Sequence, residues 1–242
     1  MATKPPPKMI TSWSFSRYSD YQQCPAKAKY KHVLRMKEPP NDAMARGTAI
    51  HTMAEDYIKG KLRSLPAELS RFKDEFKYLR GRFKKKLDSI VVEDTWAFKK
   101  DWSRTTFDDW VNCVVRIKLD CAYIVEEGGL TVMYIPDWKT GKFRPDKNAD
   151  YIEQLELYAL AALILYPHVD IARPQLKYID EGVTYPPDDQ PLIFKQEDKA
   201  RLIKLWSKRT KAMLNDKSFA PRPNNLCRYC HFRASNGGPC KF

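Results

Sequence analysis

Helical patterns of apolar and polar residues dominate the first half of the chain and return twice in the second half. N-cap residues, prolines and amphipathic spacing predict where these helices begin and end. Ser16 and Asp42 are the predicted N-caps of the first two long helices, and Pro25 is predicted to open a short helix between them. The predicted helical segments are residues 16–24, 43–60, 67–90, 150–166 and 196–215.

The middle of the chain has the two-residue alternation that is typical of strands. Residues 113–125 predict one strand, and the β-branched and aromatic residues 130–139 predict a second. The Glu-Glu-Gly-Gly turn at 126–129 joins them, so we expect an antiparallel hairpin. The apolar face of the first strand carries Val115, Ile117, Leu119 and Cys121.

Two shorter strands are predicted at residues 174–180 and 191–195, whereas residues 91–110 fit neither pattern. The resulting order is helices, hairpin, helix, strands and helix. This order predicts an α/β (α+β mixed) fold with a small mixed sheet. Hydrophobic residues make up 43% of the 242 residues, an ordinary globular composition that excludes wholesale disorder.

Positive charge is concentrated in three segments. Lys and Arg number 43 against 30 Asp and Glu, so the formal net charge is +13. Residues 1–37, 71–86 and 195–217 carry net charges of +7, +6 and +5, and the remaining chain is net acidic. This distribution suits a polyanion held around a site that needs carboxylates, although solvated helix faces would give the same charge runs.

The sequence predicts neither a membrane span nor an export signal. The longest apolar run, residues 157–167, is shorter than the roughly 18–20 residues needed to cross a bilayer. The first ten residues lack the apolar segment of a signal peptide. We therefore expect a cytoplasmic protein without a membrane partner, whose cysteines stay reduced and serve as ligands more often than as disulfides.

Two carboxylates and a lysine are predicted to meet at one end of the hairpin. Asp120 lies inside the first strand, where aspartate is unfavourable unless it has a purpose. Asp137 and Lys139 end the second strand and share a face. The carboxylates suit Mg²⁺ or Mn²⁺, and the lysine could orient a water. A surface ion pair of Asp120 with Lys118 or Lys139 is the alternative.

Two further pairs are spaced four residues apart on predicted helices, which places each pair on one helix face. His51 and Glu55 suit a metal ligand with a neighbouring carboxylate, although a helical histidine is more often structural. Gln154 and Tyr158 follow the hairpin, and a half-buried polar pair is their alternative interpretation.

Taken together, these motifs resemble a known enzyme superfamily. The order Gly47-x3-His51, Asp120, Asp137-Trp138-Lys139, Gln154-x3-Tyr158 closely resembles that of the PD-(D/E)XK nucleases. The RecB-like branch is the most similar, and it includes the AddB nuclease domain and CRISPR-adaptation exonucleases. The resemblance implies a restriction-endonuclease-like core with a small central mixed sheet flanked by helices, a helical N-terminal part and a cysteine-rich C-terminal tail.

The resemblance also implies bounds for these parts. We expect a flexible N-terminus at residues 1–12 and a single nuclease domain at 13–242. Within that domain, residues 13–112 are expected to be mainly helical, 113–217 to form the catalytic core, and 218–242 to close as a tail onto Cys24.

Residue roles follow from the resemblance alone. His51, Asp120 and Asp137 are implied metal ligands, with the backbone carbonyl of Trp138 as a fourth. Lys139 is the implied catalytic lysine. Gln154 and Tyr158 are implied to position that lysine and the DNA backbone. Glu55 is a candidate residue that contacts the metal ligands without binding the metal itself.

Four cysteines form a separate candidate site. Cys227-x2-Cys230 is a good metal-ligand signal, and nine residues separate Cys230 from Cys240. Many RecB-like nucleases hold a [4Fe–4S] cluster with one cysteine before the core and three after it, a layout that Cys24 completes here. The last gap is longer than usual in that family, and His231 could replace one thiolate. Iron–sulfur is the leading expectation, with zinc or no metal as alternatives.

The expected function is that of a metal-dependent DNA exonuclease without sequence specificity, which prefers single strands and acts in recombination, repair or replication. The alternatives are a structure-selective endonuclease, a non-catalytic DNA-binding module with a nuclease fold, and a basic scaffold for partner proteins. No Walker A motif is present, so we expect the chain to act alone or with a separate motor or recombination protein. Compact relatives of this branch occur in viruses and CRISPR systems, and a viral origin would make the expected location the host cytoplasm. Ring-forming relatives also occur, so an oligomer is a further expectation.

Aromatic residues interleave with the basic segments, as in proteins that bind single strands. The rings lie near the N-terminus and in residues 72–83, and we expect most of them to be core residues. Cys113 and Cys121, in the predicted hairpin, are also expected to be core residues.

Overall fold

The computed structural model describes residues 9–39, 41–85 and 87–242. The chain divides into two compact units. One consists of residues 41–96 and 117–203, and we call it the sheet unit. The other consists of residues 1–40, 97–116 and 204–242, and we call it the terminal unit. Of the N-terminal segment expected to be flexible, residues 1–8 lie outside the described part of the chain.

Six α-helices occur in the described residues. They are α1 (Phe15–Gln23), α2 (Pro25–Ala28), α3 (Asp42–Ile58), α4 (Lys73–Lys85), α5 (Asn148–Leu165) and α6 (Lys199–Asn215). A π-helical turn, Lys29–Val33, extends α2. Short 3-10 turns occupy Ala67–Phe72, Leu87–Ser89, Pro145–Lys147, Gln196–Asp198, Asn225–Tyr229 and Ala234–Asn236.

Three helix predictions need correction. The first N-cap is Ser14 rather than Ser16, because the Ser14 hydroxyl accepts the Arg17 N–H. The cap of α3 is Asn41 rather than Asp42, since the Asn41 Oδ1 accepts the Ala43 N–H at 2.8 Å. The single helix expected at 67–90 is a 3-10 turn followed by α4, and its last residue already belongs to a strand.

Seven strands form one mixed sheet. They are β1 (Ile90–Phe98), β2 (Arg104–Thr105), β3 (Val115–Glu127), β4 (Leu130–Lys139), β5 (Ile171–Tyr178), β6 (Val183–Tyr185) and β7 (Phe194–Lys195). The strand order is β2-β1-β3-β4-β5-β6, and β7 pairs with β5. The predicted hairpin is confirmed as antiparallel β3 and β4, whereas β4 and β5 run parallel. The α/β class with a mixed sheet flanked by helices is therefore confirmed.

Three strands, β1, β2 and β6, were absent from the sequence prediction. β1 runs through the segment that fitted neither pattern, because Glu93, Asp94 and Thr95 interrupt its apolar alternation. β6 has only three residues, which is too short for a periodic signal. It pairs with β5 in antiparallel fashion, with Tyr178 opposite Val183.

The core of the sheet unit lies between the sheet and its helices. The buried side chains of α3 and α4 include Ile50, Ile58, Phe76 and Leu79, and they cluster with Trp138 of β4. Helix α5 packs against β4 and β5. Its residues from Leu157 to Leu163 are all buried, because apolar side chains surround the helix on every face there.

The terminal unit has an aromatic core and a buried ionic cluster. The Trp13 ring stacks on Trp206 with the centroids 5.5 Å apart, and it meets Trp102 edge-on. Asp20 is 9% exposed and is surrounded by three basic side chains. They are Lys27 at 3.0 Å, Lys31 at 3.2 Å and His32 at 2.8 Å.

Among the described residues, no helix combines the length and the apolar character that crossing a membrane requires.

Candidate active site

The side chain of Asp120 is fixed at both of its oxygens. The β3–β4 ladder runs from Glu127↔Leu130 to Tyr123↔Tyr134. Past its end, Asp120 Oδ2 accepts the backbone N–H of Trp138 at 2.7 Å. Nδ1 of His51, on α3, lies 3.0 Å from Asp120 Oδ1. Asp120 is only 8% exposed, so the alternative of a surface ion pair with a lysine is wrong.

Asp137 lies at the end of β4 and is 4% exposed. The Tyr158 hydroxyl, on α5, donates a hydrogen bond to Asp137 Oδ1 at 2.8 Å. Lys139 Nζ lies 2.5 Å from Asp137 Oδ2 as an ion pair. The buried Oδ2 therefore has the Lys139 ammonium as its charged partner.

Gln154 and Tyr158 contact Asp137, the carboxylate that pairs with Lys139. Gln154 Nε2 donates to the Tyr158 hydroxyl at 2.8 Å and reaches Asp137 Oδ1 at 3.4 Å, which is too long for a strong bond. The two residues thus orient the carboxylate that in turn holds Lys139. Their predicted role toward the DNA backbone stays a prediction.

Glu93 is a site residue that the sequence reasoning missed. It lies on β1, and its Oε1 is 3.7 Å from His51 Nδ1. Its φ of 51° puts a non-glycine residue in the left-handed region, at a cost of about 1–2 kcal/mol. Two consecutive acids after Ile-Val-Val were a usable signal, because acidic residues are unfavourable in strands.

The surroundings of Asp120 and His51 shift the pKa values of both side chains. Burial and the neighbouring Asp137 raise the pKa of Asp120 to about 6, against the opposing hydrogen bonds from His51 and Trp138. Burial lowers the pKa of His51, but the hydrogen bonds with Asp120 and Glu93 outweigh it and raise the value to about 10. Asp120 therefore depends on nearby positive charge to stay ionised.

The family comparison bears directly on this site. A family model described as the PD-(D/E)XK nuclease superfamily matches residues 12–235, which is most of the chain. The chain belongs to the PD-(D/E)XK nuclease superfamily. Among curated proteins, no sequence matches this nuclease.

Two solved structures that are similar to the nuclease have low sequence identity to it. One is the protein SSO0001, with 15% identity and a TM-score of 0.41 over 96% of this chain and 87% of the other. Another is a protein of Eubacterium rectale named "Putative exonuclease". It has 13% identity and a TM-score of 0.46, over 93% of this chain and 89% of the other.

The donor set of the nuclease fits the divalent metal that its superfamily uses. One ligand atom from each of His51, Glu93 and Asp120 lies within 4.8 Å of the others. Asp137 lies outside that triad but offers a buried Oδ2, which faces the Lys139 ammonium. Carboxylate oxygens with one imidazole suit Mg²⁺ or Mn²⁺. A cation here would also offset the mutual repulsion of Asp120 and Asp137.

Neither the Glu55 side chain nor the Trp138 carbonyl has a contact with the metal-ligand candidates among the contacts described above. Glu55 Oε1 accepts a hydrogen bond from Lys59 Nζ at 2.7 Å, an ordinary pair along one helix face. Trp138 contributes its N–H to Asp120, and its side chain packs on Phe76 with the ring centroids 5.3 Å apart. The use of its carbonyl as a metal ligand stays a prediction.

The cysteine tail of the nuclease forms a second candidate site, within the terminal unit. Cys24, Cys227, Cys230 and Cys240 all line one cavity of about 180 Å³. The backbone N–H of Arg222 donates to Cys24 Sγ at 3.4 Å, and that of Asn224 donates to Cys227 Sγ at 3.3 Å. The side chain of Arg222 also bonds the Gln22 carbonyl. The four thiols that the resemblance grouped thus face a common space.

The unusually long gap before Cys240 is folded back on itself. Arg233 and Cys240 form a parallel β-bridge, and the Cys240 N–H donates to the Phe232 carbonyl at 2.8 Å. Gly238 lies so close to the Phe232 backbone that any Cβ would overlap it. The gap therefore needs glycine at this position to return Cys240 to the cavity. His231, the alternative ligand, lines the same cavity.

The expectations for the remaining cysteines and rings are confirmed. Cys113 and Cys121 are buried. Most of the rings near the basic segments are buried or half-buried. Trp13, Tyr18, Tyr21 and Phe76 are each less than 9% exposed, whereas Tyr78 is 46% exposed.

Proposed function

We propose that the chain is a metal-dependent deoxyribonuclease of the RecB-like branch that degrades DNA from an end. The observation that carries this proposal is the joining of Asp120, Asp137 and Lys139 in one site of the sheet unit. A structural ion pair does not account for two buried carboxylates held by a histidine and a tyrosine.

The proposed metal ligands are His51, Asp120 and Asp137, joined by Glu93. A divalent metal held there would polarise the scissile phosphate and make a bound water more acidic. The chain itself holds the two carboxylates in place before the substrate binds. The Trp138 N–H and His51 hold Asp120, and Tyr158 holds Asp137, so neither carboxylate has to reorient as the reaction proceeds.

Lys139 is the proposed catalytic lysine. Its side chain is 30% exposed and its ammonium contacts Asp137, so it faces both the acidic site and the solvent from which DNA arrives. In this position it orients or deprotonates the attacking water, and as an ammonium it stabilises the charge that develops on the phosphate.

DNA is the proposed substrate because the superfamily acts on nucleic-acid phosphodiesters and because the chain carries a net charge of +13. The exonuclease mode, the preference for single strands and a role in recombination, repair or replication rest on the resemblance to the RecB-like branch. A separate motor protein and an oligomeric state are further proposals from the same source.

We also propose a structural [4Fe–4S] cluster on Cys24, Cys227, Cys230 and Cys240. The shared cavity and the backbone N–H groups directed at two of the sulfurs support it, since such bonds stabilise thiolates. Zinc on three of these thiolates and His231 is the alternative. Iron, sulfide and zinc analysis of protein purified without oxygen distinguishes the two.

The test of the exonuclease uses two DNA forms and one variant. With Mg²⁺ or Mn²⁺, the wild-type chain is expected to degrade end-labelled linear single strands and to leave closed circular single strands intact. Asp120→Ala is expected to abolish both metal dependence and hydrolysis. Cleavage of the circle would favour the structure-selective endonuclease. Binding of both forms without cleavage, in protein with its full metal content, would favour the non-catalytic module.

A further inference from the structure

The C-terminal tail carries several large apolar side chains that are exposed to solvent instead of packing into a core. Tyr229 is 67% exposed, Leu226 is 48% exposed and Phe242 is 43% exposed. By contrast, Phe219 and Phe232 of the same tail are each 2% exposed and pack internally. Two aromatic rings of the tail, Phe219 and Phe232, are therefore part of the core, whereas Tyr229 and Phe242 face the solvent.

The two solvent-facing rings each lie beside a cation. The Arg228 guanidinium lies 4.8 Å from the centroid of the Tyr229 ring, and Lys241 Nζ lies 5.5 Å from that of Phe242. All four side chains are exposed. We call these four residues the tail surface. A shallow groove of about 390 Å³, lined by both Arg228 and Phe242, runs alongside it.

The charge around the tail surface has one sign. Residues 217–242 contain five lysines and arginines and no aspartate or glutamate. Glu38 lines the neighbouring cysteine cavity, and it is already paired with Lys31 at 2.9 Å. The exposed rings therefore lie in a cationic environment.

Cations beside exposed rings match the chemistry of a single nucleic-acid strand. Phosphates are neutralised by Lys and Arg, and unpaired bases stack on aromatic faces whatever their sequence. A duplex would offer its phosphates but not the faces of its bases. An acidic protein would pair with the cations but would not specifically require flat rings.

We propose that the tail surface binds single-stranded DNA, with bases stacked on Tyr229 and Phe242 and phosphates held by Arg228 and Lys241. This inference rests on the proposed function, which supplies DNA as the substrate. It goes further by naming the residues that select a single strand, and these differ from the residues that hydrolyse it.

The test measures binding without hydrolysis. Fluorescence anisotropy with a labelled 20-nucleotide oligothymidine, without added divalent metal, reports the Kd. Tyr229→Ala is expected to raise the Kd about tenfold, which is the loss of one stacked base. Tyr229→Phe keeps the stacking face and is expected to bind as the wild type does. A duplex of the same length is expected to respond little to either change.

Trp110→Ala is the matched control. Trp110 is 77% exposed and lies 4.3 Å from the Arg116 guanidinium, but Asp108 and Asp109 precede it in the chain. Its loss is expected to leave the Kd unchanged. An equal effect of Trp110→Ala and Tyr229→Ala would overturn the assignment, as would wild-type affinity in Tyr229→Ala.

A second variant tests the cations and remains informative if Tyr229→Ala disturbs the cysteine site. In Arg228→Gln/Lys241→Gln, the slope of log Kd against log salt is expected to fall by roughly 0.7 for each phosphate that the protein no longer neutralises. An unchanged slope would overturn the proposal. Because binding needs no catalysis, a chain that binds through Tyr229 but hydrolyses nothing would refute only the proposed function. Hydrolysis with no Tyr229 effect would refute only this inference.

Discussion

Removal of the Tyr158 hydroxyl perturbs the site at one defined atom. That hydroxyl is the short hydrogen-bond donor to Asp137 Oδ1, at 2.8 Å, in a carboxylate that is 4% exposed. Gln154 Nε2, at 3.4 Å, is too distant to replace it without moving. A hydrogen bond to a charged group stabilises a protein by about 1.5–3 kcal/mol. Its loss leaves the buried Asp137 carboxylate without a short hydrogen bond to offset the cost of removing it from water.

If the bond holds Asp137 in its reactive position, that energy is lost from the transition state. Tyr158→Phe is then expected to lower kcat/KM by roughly 10–100-fold, since each 1.4 kcal/mol is about a factor of ten. The apparent affinity for Mn²⁺ is expected to fall as well. The assay is single-turnover hydrolysis of an end-labelled oligonucleotide over a range of Mn²⁺ concentrations.

Tyr178→Phe is the control for the loss of a buried tyrosine hydroxyl. Tyr178 is 3% exposed and its hydroxyl bonds to Tyr151 rather than to a site carboxylate. This variant is expected to change stability without changing the Mn²⁺ dependence. If Tyr158→Phe and Tyr178→Phe proved equally active at every Mn²⁺ concentration, Tyr158 would be a packing residue and the reasoning would be refuted.

Three further predictions test other parts of the account. Glu93→Gln keeps the shape of the side chain but removes its charge, so the apparent Mn²⁺ affinity is expected to fall by about tenfold or more, and an unchanged titration would exclude Glu93 as a ligand. Burial raises the pKa of Asp20, but His32 and two lysines outweigh it and hold the value well below its usual range, so the stabilisation is present above about pH 4 and is lost as the pH falls. Urea unfolding is therefore expected to show Asp20→Asn about 1–3 kcal/mol less stable at pH 7, with a smaller difference in acid; a constant difference would contradict this. Gly238→Ala would overlap the Phe232 backbone and displace Cys240, so the purified protein is expected to lose the metal proposed for the four cysteines, and full metal content would show that the loop can adjust.

The candidate-site residues that the sequence could predict were those on strongly periodic elements. Alternation along β3 and β4 was clear enough to place Asp120 near Asp137 and to put Lys139 on the same face. Four-residue spacing placed Gln154 beside Tyr158 in the same way. These deductions needed only the local period of the backbone and the pairing of two consecutive strands.

Glu93 escaped prediction for a physical reason. Its strand departs from regular geometry at that residue, where φ is 51°, so the alternation that identifies a strand is interrupted there. The contact with His51 joins elements that are distant along the chain, and no local pattern carries that information. The same holds for the return of Cys240 to the cavity, which depends on the close approach of Gly238 to the Phe232 backbone.

Helix ends were less predictable than helix positions. Ser14 competes with Ser16 for the first cap, and Asn41 competes with Asp42 for the cap of α3. Each pair consists of residue types that cap helices well, so composition does not distinguish them. The choice depends on which side chain reaches a free backbone N–H in the folded chain.

The most direct test of the central claim is the release of label from end-labelled single-stranded DNA by wild type and Lys139→Ala, with and without Mg²⁺ or Mn²⁺. The account predicts metal-dependent release by the wild type and essentially none by Lys139→Ala, while both proteins bind the DNA equally well. Full metal-dependent release by Lys139→Ala would contradict the claim that the site formed by Asp120, Asp137 and Lys139 hydrolyses DNA.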